Sequence, residues 1–251
     1  MGRGKDHYSG EVENGMAHGR GEMKYASGGV YIGQFVEGKR SGTGSMKFVD
    51  NADHSDGDTY DGDWENDFMH GKGMMKFANG NVYDGKWGKG KENGTGTCKG
   101  VDGNEYVGEF KDGNRNGKGM MKFDDGDVYD GEWGKGKRNG AGTFKWADGR
   151  EYVGEWKDSN RNGKGMMKFA SGNVYDGEWG KGEYNGAGTY KWADGSEYVG
   201  EWKDGNRNGK GMMKFASGNV YDGEWTDDER NGAGTLREMN GDMSKQVYNQ
   251  D

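Results

Sequence analysis

The sequence predicts an all-β protein in which stacked β-hairpins extend one antiparallel sheet, and three observations lead to this fold class. Tyr-x-Gly-x-aromatic segments recur along the chain at a spacing of 23 residues, and a fixed period of this length is typical of arrays of one small unit. Each period holds two runs of alternating side chains, the pattern of half-buried strands. Proline is absent, which agrees with near-continuous strand pairing.

Composition alone would favour a disordered polymer. The chain has 54 glycines, a net charge of −8, one leucine (Leu236) and one isoleucine (Ile32), and such a balance is normally a signature of disorder. The regular spacing of the tryptophans and of most tyrosines argues against disorder, because a disordered chain has no reason to keep its rings in register. Each buried ring also covers roughly 150–250 Å², enough for a thin core. Aromatic rings therefore replace aliphatic side chains as the predicted core.

Ten repeats are counted, and they define the predicted organisation of the chain. The repeat array covers 8–240, between an N-terminal tail, 1–7, and a C-terminal tail, 241–251. The repeats begin at Tyr8, Tyr31, Tyr60, Tyr83, Tyr106, Tyr129, Tyr152, Tyr175, Tyr198 and Tyr221. The second repeat is six residues too long, and the excess predicts an acidic loop insertion over 49–59. Later repeats alternate between two versions, so the sequence unit is a pair of 46 residues.

The seventh repeat illustrates the predicted hairpin. Tyr152, Gly154 and Trp156 alternate with Val and Glu, which puts a ring, a gap and a ring on one face of the first strand. A second alternating run extends from Gly163 to Phe169. We expect turns at the segments KDSNRN and ASG, because both are rich in turn-forming residues. The inward glycines leave space for neighbouring Tyr and Trp rings to lie flat.

The pattern YxGxWxxxxxxGxG with its 23-residue period resembles that of the MORN repeats, named for membrane occupation and recognition nexus. One copy is formed by Tyr175, Gly177, Trp179, Gly186 and Gly188, and the likeness extends over the whole array. The resemblance implies an elongated, single-layer antiparallel sheet of stacked hairpins. It also implies a scaffold at membrane-associated or cytoskeletal structures. A chain of such repeats alone is most similar to small scaffold members and to radial spoke head proteins of ciliary and flagellar axonemes.

No arrangement of catalytic or ligand-binding residues stands out from the repeat background. None of the four histidines recurs in register. His54 lies in the acidic insertion, but an EF-hand centred on Gly57 would need oxygen ligands at Ala52 and His54. The glycine-rich segment 88–96 lacks the GxxxxGK[ST] motif of phosphate-binding loops. We therefore predict no catalytic, cofactor or metal site and no enzymatic activity.

The leading functional prediction is a non-enzymatic scaffold or adaptor for protein partners. A partner helix or extended segment is expected along the concave aromatic face of the sheet. The predicted contact stripe consists of Tyr129, Trp133, Tyr152, Trp156, Tyr175, Trp179, Tyr198 and Trp202. A row of methionines is expected on the opposite face, where partner binding and simple strand packing are equally good explanations. This row consists of Met74, Met120, Met166 and Met212.

A membrane or phosphoinositide adaptor is the alternative function. It is suggested by the resemblance and by basic residues expected in the turns between strands: Arg115, Arg138, Arg161 and Arg207. Anionic lipid attracts polybasic surfaces, whereas the net charge of this chain is −8, which disfavours the alternative. No nucleic-acid partner is predicted. A homodimer through open strand edges is also possible on physical grounds.

The expected location is cytoplasmic, at the cytoskeleton or in a ciliary or flagellar axoneme. Cys98 is the one cysteine, so no intramolecular disulfide can form, which favours a reducing compartment. The sequence contains neither a recognisable signal peptide nor a long apolar run.

Overall fold

The computed structural model describes residues 5–49 and 54–248, in which 21 β-strands form one antiparallel sheet. This part of the chain contains no helix, and hence none with the length and apolar character to cross a membrane. The predicted all-β fold of hairpin repeats is confirmed. By its contacts the chain divides into two units, residues 1–124 with 133–136 and residues 125–132 with 137–251.

In the first unit each strand is antiparallel to the next along the chain. Its strands are β1 (His7–Glu13), β2 (Met16–Lys24), β3 (Val30–Val36), β4 (Lys39–Lys47), β5 (Thr59–Glu65), β6 (Phe68–Lys76), β7 (Val82–Gly88), β8 (Lys91–Lys99), β9 (Glu105–Lys111) and β10 (Asn114–Lys122). The next strand, β11 (Val128–Gly134), contributes residues to both units.

The second unit repeats the same order of short and long strands, each paired with the next. Its strands are β12 (Lys137–Lys145), β13 (Glu151–Lys157), β14 (Asn160–Lys168), β15 (Val174–Gly180), β16 (Glu183–Lys191), β17 (Glu197–Lys203), β18 (Asn206–Lys214), β19 (Val220–Thr226), β20 (Glu229–Arg237) and β21 (Met243–Tyr248).

Strand β21 lies within the segment predicted as a C-terminal tail, so that much of the tail belongs to the sheet. Tyr248 stands opposite Gly232, the position that Trp225 takes opposite Gly209 one repeat earlier. The Tyr248 ring packs edge-on against Tyr221 at 5.8 Å. The sequence reasoning missed this strand because a tyrosine replaces the expected tryptophan and no Tyr-x-Gly precedes it.

The two strands of each hairpin are joined by a two-residue turn. In the turn between β13 and β14, Asp158 and Ser159 have φ angles of 49° and 68°. Two successive left-handed residues form a type I′ turn, whose twist matches that of the paired strands. The turn is therefore shorter than the predicted KDSNRN segment, and Arg161 lies in β14. The same correction applies to the other arginines expected in turns, which are Arg115, Arg138 and Arg207.

The acidic insertion ends in the same kind of closed turn that joins ordinary repeats. Phe48 N–H donates to the Asp58 carbonyl at 2.8 Å, as Phe169 N–H donates to the Asn173 carbonyl in a repeat of normal length. The Asp58 side chain is buried and accepts the Ala78 N–H at 2.8 Å. The predicted loop over 49–59 is thus ordered at its C-terminal end, and residues 50–53 of it lie outside the described residues.

Each repeat tyrosine lies flat over two glycines. Gly154 of β13 stands opposite Gly165 of β14, and a Cβ atom at Gly154 would lie 2.5 Å from Tyr152 Oη and 2.5 Å from Gly165 Cα. The predicted role of the inward glycines is confirmed. Tyr152 Oη donates to the Glu155 carbonyl at 2.9 Å, which a β-bulge beside Gly154 turns out of the ladder.

The tyrosines also connect neighbouring repeats. The Tyr152 ring is in edge-to-face contact with Trp156 of its own strand at 5.1 Å and with Trp179 of the next repeat at 5.2 Å. Such pairs contribute about 0.5–1.5 kcal/mol beyond the area that they bury. Within each unit, contacts of this kind join the rings of successive repeats into a row, and no hairpin could form such a core alone.

A side-chain ladder at the turns connects successive repeats, and the sequence reasoning missed it. The residue two before the repeat tyrosine accepts the backbone N–H of the residue 20 positions later: Asn173 Oδ1 accepts the Ala193 N–H at 2.9 Å. The other acceptors are Asp6, Asp58, Asn81, Asn104, Asp127, Ser196 and Asn219. An oxygen acceptor in this position, repeating with the period, is the signal that could have revealed it.

Replacing Gly177 by alanine should destabilise the protein by ~1–3 kcal/mol, the usual cost of overpacking. The new Cβ would lie 2.5 Å from Gly188 Cα and 2.7 Å from Tyr175 Oη. Gly180→Ala in the same strand is the control, because its Cβ would meet the exposed Asn185 side chain at 3.3 Å. Chemical denaturation with local hydrogen exchange measures both variants. Equal stability of the two would contradict the role of the glycine gap.

The repeat tyrosines should make the fold sensitive to alkaline pH. Burial raises the pKa of Tyr31, Tyr106, Tyr129 and Tyr198 to about 12, whereas an unfolded tyrosine ionises near pH ~10. The stabilisation from the protonated phenols is complete below pH ~10 and is lost as the pH rises toward ~12. Tyrosinate absorbance and loss of near-ultraviolet circular dichroism should therefore increase together. Ionisation of these tyrosines near pH ~10 with the dichroism intact would refute this.

Candidate functional site

The predicted contact stripe lies on the ring face, defined as the face of each hairpin that carries the repeat Tyr and Trp rings. Its members are almost fully buried inside the chain: Tyr129, Tyr152, Tyr175 and Tyr198 are 0% exposed, and Trp133, Trp156, Trp179 and Trp202 are 4–7% exposed. Their polar atoms are also engaged, since Trp179 Nε1 donates to the Gly165 carbonyl at 2.8 Å. Their structural role is clear, while direct partner contact stays a prediction.

In five repeats an arginine nine residues after the tyrosine covers these rings and stacks on the tryptophan of the next repeat. The Arg161 guanidinium carbon lies 4.3 Å from the centre of the Trp179 ring, and Nη2 donates to the Gly182 carbonyl at 2.7 Å. The same stacking, at 4.3–4.5 Å, is made by Arg40, Arg115, Arg138 and Arg207. A stacked cation contributes about 0.5–2 kcal/mol, depending on its desolvation.

This stacking bears on the lipid alternative. Of the four arginines on which that alternative depended, each has its guanidinium over a tryptophan, and Arg161 and Arg207 illustrate the second contact. Both donate Nη2 to the carbonyl of a neighbouring turn, at 2.7 and 2.8 Å. Groups held in this way have fewer donors left for lipid phosphates than the turn arginines that the sequence suggested.

The eighth repeat differs, because Tyr184 stands in the arginine position and joins a group of aromatic rings. We define the repeat-eight cluster as Tyr184, Tyr190 and Trp192, which are all half-buried. The Tyr184 ring stacks on Tyr175 at 3.9 Å and meets Trp202 edge-on at 5.2 Å. Tyr190 lies 4.5 Å from Trp192 and 6.1 Å from Tyr184. The cluster therefore rests on the buried ring row and presents its outer edges to solvent.

One hydroxyl group of the cluster has a hydrogen-bond partner in the preceding strand region. Asn173 Nδ2 donates to Tyr190 Oη at 3.0 Å. Burial raises the pKa of Tyr184, Tyr190 adds to the rise, and Arg161 opposes it. The Tyr184 phenol is therefore neutral at physiological pH. Tyrosine and tryptophan, which combine a large apolar ring with a polar group, are the residues typical of protein-binding hot spots.

The open face, opposite the ring face, carries the predicted methionine row. Met120 and Met212 are 36% and 44% exposed, and Met74 and Met166 are half-buried, so the predicted orientation is confirmed. Each pairs across a hairpin with an apolar or acidic residue; Met212, for example, stands opposite Val199. Cross-strand pairs of this kind are the ordinary stabilising unit of a sheet. These contacts favour strand packing, and partner binding by the row stays a prediction.

The acidic insertion does not assemble a metal site in the residues that the structure describes. Across 5–49 and 54–248, no group of three or more His, Cys, Asp or Glu side chains could hold an ion. His54 instead stacks on Phe48, with ring centres 3.7 Å apart, and its Nδ1 lies 3.7 Å from the Asp58 carboxylate. Asp50 and Asp53 lie outside the described residues.

Comparison with known proteins gives one short relative and several distant folds. Alsin of Rattus norvegicus is 35% identical over 72 residues, which span 29% of this chain and 4% of Alsin. The TCP domain of Drosophila melanogaster SAS-4, solved with a proline-rich motif of Ana2, covers 62% of this chain and 85% of its own, at 11% identity and a TM-score of 0.39. The G-box domain of the microcephaly protein CPAP covers 80% and 97%, at 10% identity and a TM-score of 0.41. TM-scores this low support no argument about function.

The family comparison covers nearly the whole chain. The MORN repeat model matches ten consecutive segments: 8–30, 31–52, 60–82, 83–105, 106–128, 129–149, 152–174, 175–197, 198–220 and 221–243. These segments begin at the same ten tyrosines that define the repeats. All but the first contain the ring and glycine pattern described above, and in the first Val12 takes the place of the second ring. The chain therefore belongs to the MORN repeat family.

Proposed function

We propose that this protein is a non-enzymatic scaffold that binds a protein partner on its ring face, with the repeat-eight cluster as the principal contact. Membership of the MORN family supports a scaffold function in general. One observation carries the finer proposal. Where most repeats cover the ring row with an arginine, repeat eight covers it with Tyr184, flanked by the half-buried Tyr190 and Trp192.

Binding at this cluster would follow the energetics of protein interfaces. Tyr and Trp are enriched among the residues whose truncation weakens binding by more than about 2 kcal/mol. Tyr184 and Tyr190 are already held by contacts with Tyr175 and Trp202, and Trp192 is held by Tyr190. A partner therefore need not order these rings, which lowers the entropic cost of association. A helix or an extended segment could contribute the apolar side chains that this single-layer surface lacks.

We also propose the cellular setting, a cytoplasmic assembly of the cytoskeleton or of a cilium or flagellum, such as a radial spoke. This rests on the resemblance of a chain composed of repeats to the radial spoke head proteins. Imaging of the tagged protein together with co-fractionation of isolated axonemes tests it. A diffuse cytosolic signal and absence from axonemes would reject the ciliary setting and leave the scaffold proposal intact.

Tyr184→Arg combined with Trp192→Lys should strongly weaken partner binding while preserving the fold. The arginine recreates the covering residue of neighbouring repeats, so the buried rings stay covered. We expect the affinity for a partner identified by crosslinking in the native assembly to fall about 30-fold or more, corresponding to ~2 kcal/mol. Isothermal titration calorimetry measures the change.

Val199→Thr with Met212→Thr is the matched control for that experiment. Both residues lie in the same unit, on the open face, and are 46% and 44% exposed. The control variant should bind the partner like the unmodified protein. If binding is lost in the control and kept in the cluster variant, the contact lies on the open face and the proposed site is wrong.

A membrane adaptor remains the second candidate, and one observation favours it. A lysine ends each long strand on the open face from β2 to β18: Lys24, Lys47, Lys76, Lys99, Lys122, Lys145, Lys168, Lys191 and Lys214. Glutamates already pair with part of this row, since Glu151 contacts both Lys145 and Lys168. We expect no flotation with phosphatidylserine or phosphoinositide vesicles at physiological salt. Strong flotation that disappears at high salt would favour the lipid function.

Self-association through strand edges also remains a proposal. Strand β21 pairs with β20 on one side, and its Met243 and Val247 side chains are 70% and 75% exposed. If this edge pairs with a second copy, light scattering should give twice the monomer mass of 27.6 kDa, and Val247→Pro should restore the monomer, because proline removes a ladder donor.

A further inference from the structure

From the second repeat onward, the position nine residues after the repeat tyrosine holds an arginine, an apolar side chain or an aromatic ring in every repeat except one. It holds Arg40, Met69, Glu92, Arg115, Arg138, Arg161, Tyr184, Arg207 and Arg230. The arginines and Tyr184 lie over aromatic rings, and Met69 is 4% exposed within the core. Glu92 alone places a carboxylate in a position where the other repeats have a cation or an apolar cover.

Two side chains near Glu92 are also smaller than those in the same positions of the next repeat. Cys98 takes the ring-face position that holds Met121 one repeat later, and Gly100 takes the position of Phe123. The result is an open depression of about 520 Å³, lined among others by Tyr83, Glu92 and Cys98. We call it the repeat-four slot.

In the next repeat, an arginine of the chain itself occupies the position that corresponds to the slot. The Arg115 guanidinium carbon lies 5.7 Å from the Tyr106 ring centre and 4.5 Å from that of Trp133. Its Nη2 donates to the Gly136 carbonyl at 3.2 Å. The corresponding groups of the repeat-four slot are Tyr83, Phe110 and the Gly113 carbonyl, and all three residues line the depression.

The charge in the slot is complementary to a cation. Burial raises the pKa of the Glu92 carboxyl more than the hydrogen bond from the Glu92 backbone lowers it, so the fold offsets only part of the desolvation of the charge. Arg115 also lines the slot, and its guanidinium is held over Trp133 and bonded to the Gly136 carbonyl. Glu92 makes no salt bridge with any residue in the described part of the chain. A cation from outside would therefore gain an electrostatic partner that is not already used.

We propose that the repeat-four slot binds an arginine side chain of a partner polypeptide. A guanidinium can stack on the Phe110 and Tyr83 rings while it donates to the Glu92 carboxylate and the Gly113 carbonyl. An ammonium matches this flat site less well, because a guanidinium has five donors in a planar fork and stacks on rings. In the repeat-four slot, a partner would thus supply the guanidinium that an arginine of this chain supplies in the next repeat.

A second depression adjoins the slot. It could hold the residues next to the bound arginine, which is why we expect the ligand to be a peptide and not a free amino acid. It has a volume of about 860 Å³, shares Glu92 and Gly113 with the slot, and includes the aromatic residues Tyr25 and Phe48. A segment whose arginine occupies the slot can therefore continue along this depression, where aromatic rings lie beside charged side chains such as Arg40 and Asp67. This goes beyond the proposed function, because it lies in repeat four and specifies the chemistry of the bound residue.

The test uses the full chain labelled with ¹⁵N and three probes: the acetylated, amidated tripeptides Gly-Arg-Gly, Gly-citrulline-Gly and Gly-Lys-Gly. Citrulline has the shape of arginine without its charge. We expect saturable shifts of the Glu92 and Gly113 amides with the arginine peptide and roughly tenfold weaker binding of the citrulline peptide. The lysine peptide should bind between the two. Equal binding of the arginine and citrulline peptides, or shifts spread evenly over all repeats, would overturn the proposal.

Variants of Glu92 complete the test. Glu92→Gln should weaken binding of the arginine peptide roughly fivefold or more by removing the charge. Glu92→Arg should abolish binding and leave the thermal midpoint equal or higher, because the chain then fills its own slot. Glu201→Gln on the open face is the control and should bind normally. Unchanged binding by Glu92→Arg would refute the slot. Loss of partner binding in the repeat-eight variant with normal peptide binding would separate the two proposals.

Discussion

The close contact between a tyrosine ring and a pair of glycines is the constraint on which the rest of the structure depends. A single-layer sheet has no second layer to cover its core, so the rings must lie flat and bury one another sideways. At Tyr152 this is possible because Gly154 and Gly165 leave no side chain beneath the ring. The flat ring then forms the surface against which Trp156 and Trp179 stand edge-on.

The same constraint separates the residues that fold the protein from those that can vary. Packing buries the tyrosine, the tryptophan and the glycine pair of each repeat. The tyrosine hydroxyl and the tryptophan Nε1 both donate to backbone carbonyls. The covering position, nine residues after the tyrosine, touches the rings from outside. The residue there is Arg161, Tyr184 or Glu92 in different repeats, and the edge-to-face ring contacts beneath it are kept in all three. Differences in function are therefore expected at the covering position and its neighbours.

Polar contacts between repeats follow the same logic. The backbone groups at each turn need partners, and a side chain from the preceding repeat supplies one, as Asn173 does for Ala193. Stacked arginines add a second link, since Arg161 reaches both Trp179 and the Gly182 carbonyl. Each repeat thus depends on its neighbour for its core, its turn and its cover, as expected for an array stabilised by nearest-neighbour contacts.

The sequence predicted more of the fold than of the candidate site. Alternation along Tyr152, Gly154 and Trp156 determines which side chains share a face, because a strand has a period of two. Alternation could not predict how exposed those rings are, because residues on the opposite strand and in the next repeat cover them. The repeat-eight cluster went unrecognised for this reason: Tyr184 and Tyr190 lie in one strand, β16, but only the structure shows that their rings rest on Tyr175 and Trp202 of the neighbouring strands.

By itself, then, the sequence determined the fold class, the repeat boundaries and the face of each strand, all of which follow from periodicity. The tertiary structure decided the remaining questions. A type I′ turn closes in two left-handed residues and moves Arg161 from a predicted turn onto the ring row. Strand β21 forms because the edge of β20 offers it a hydrogen-bonded ladder. Such outcomes depend on turn geometry and on contacts between repeats, which the spacing of residues along one strand does not contain.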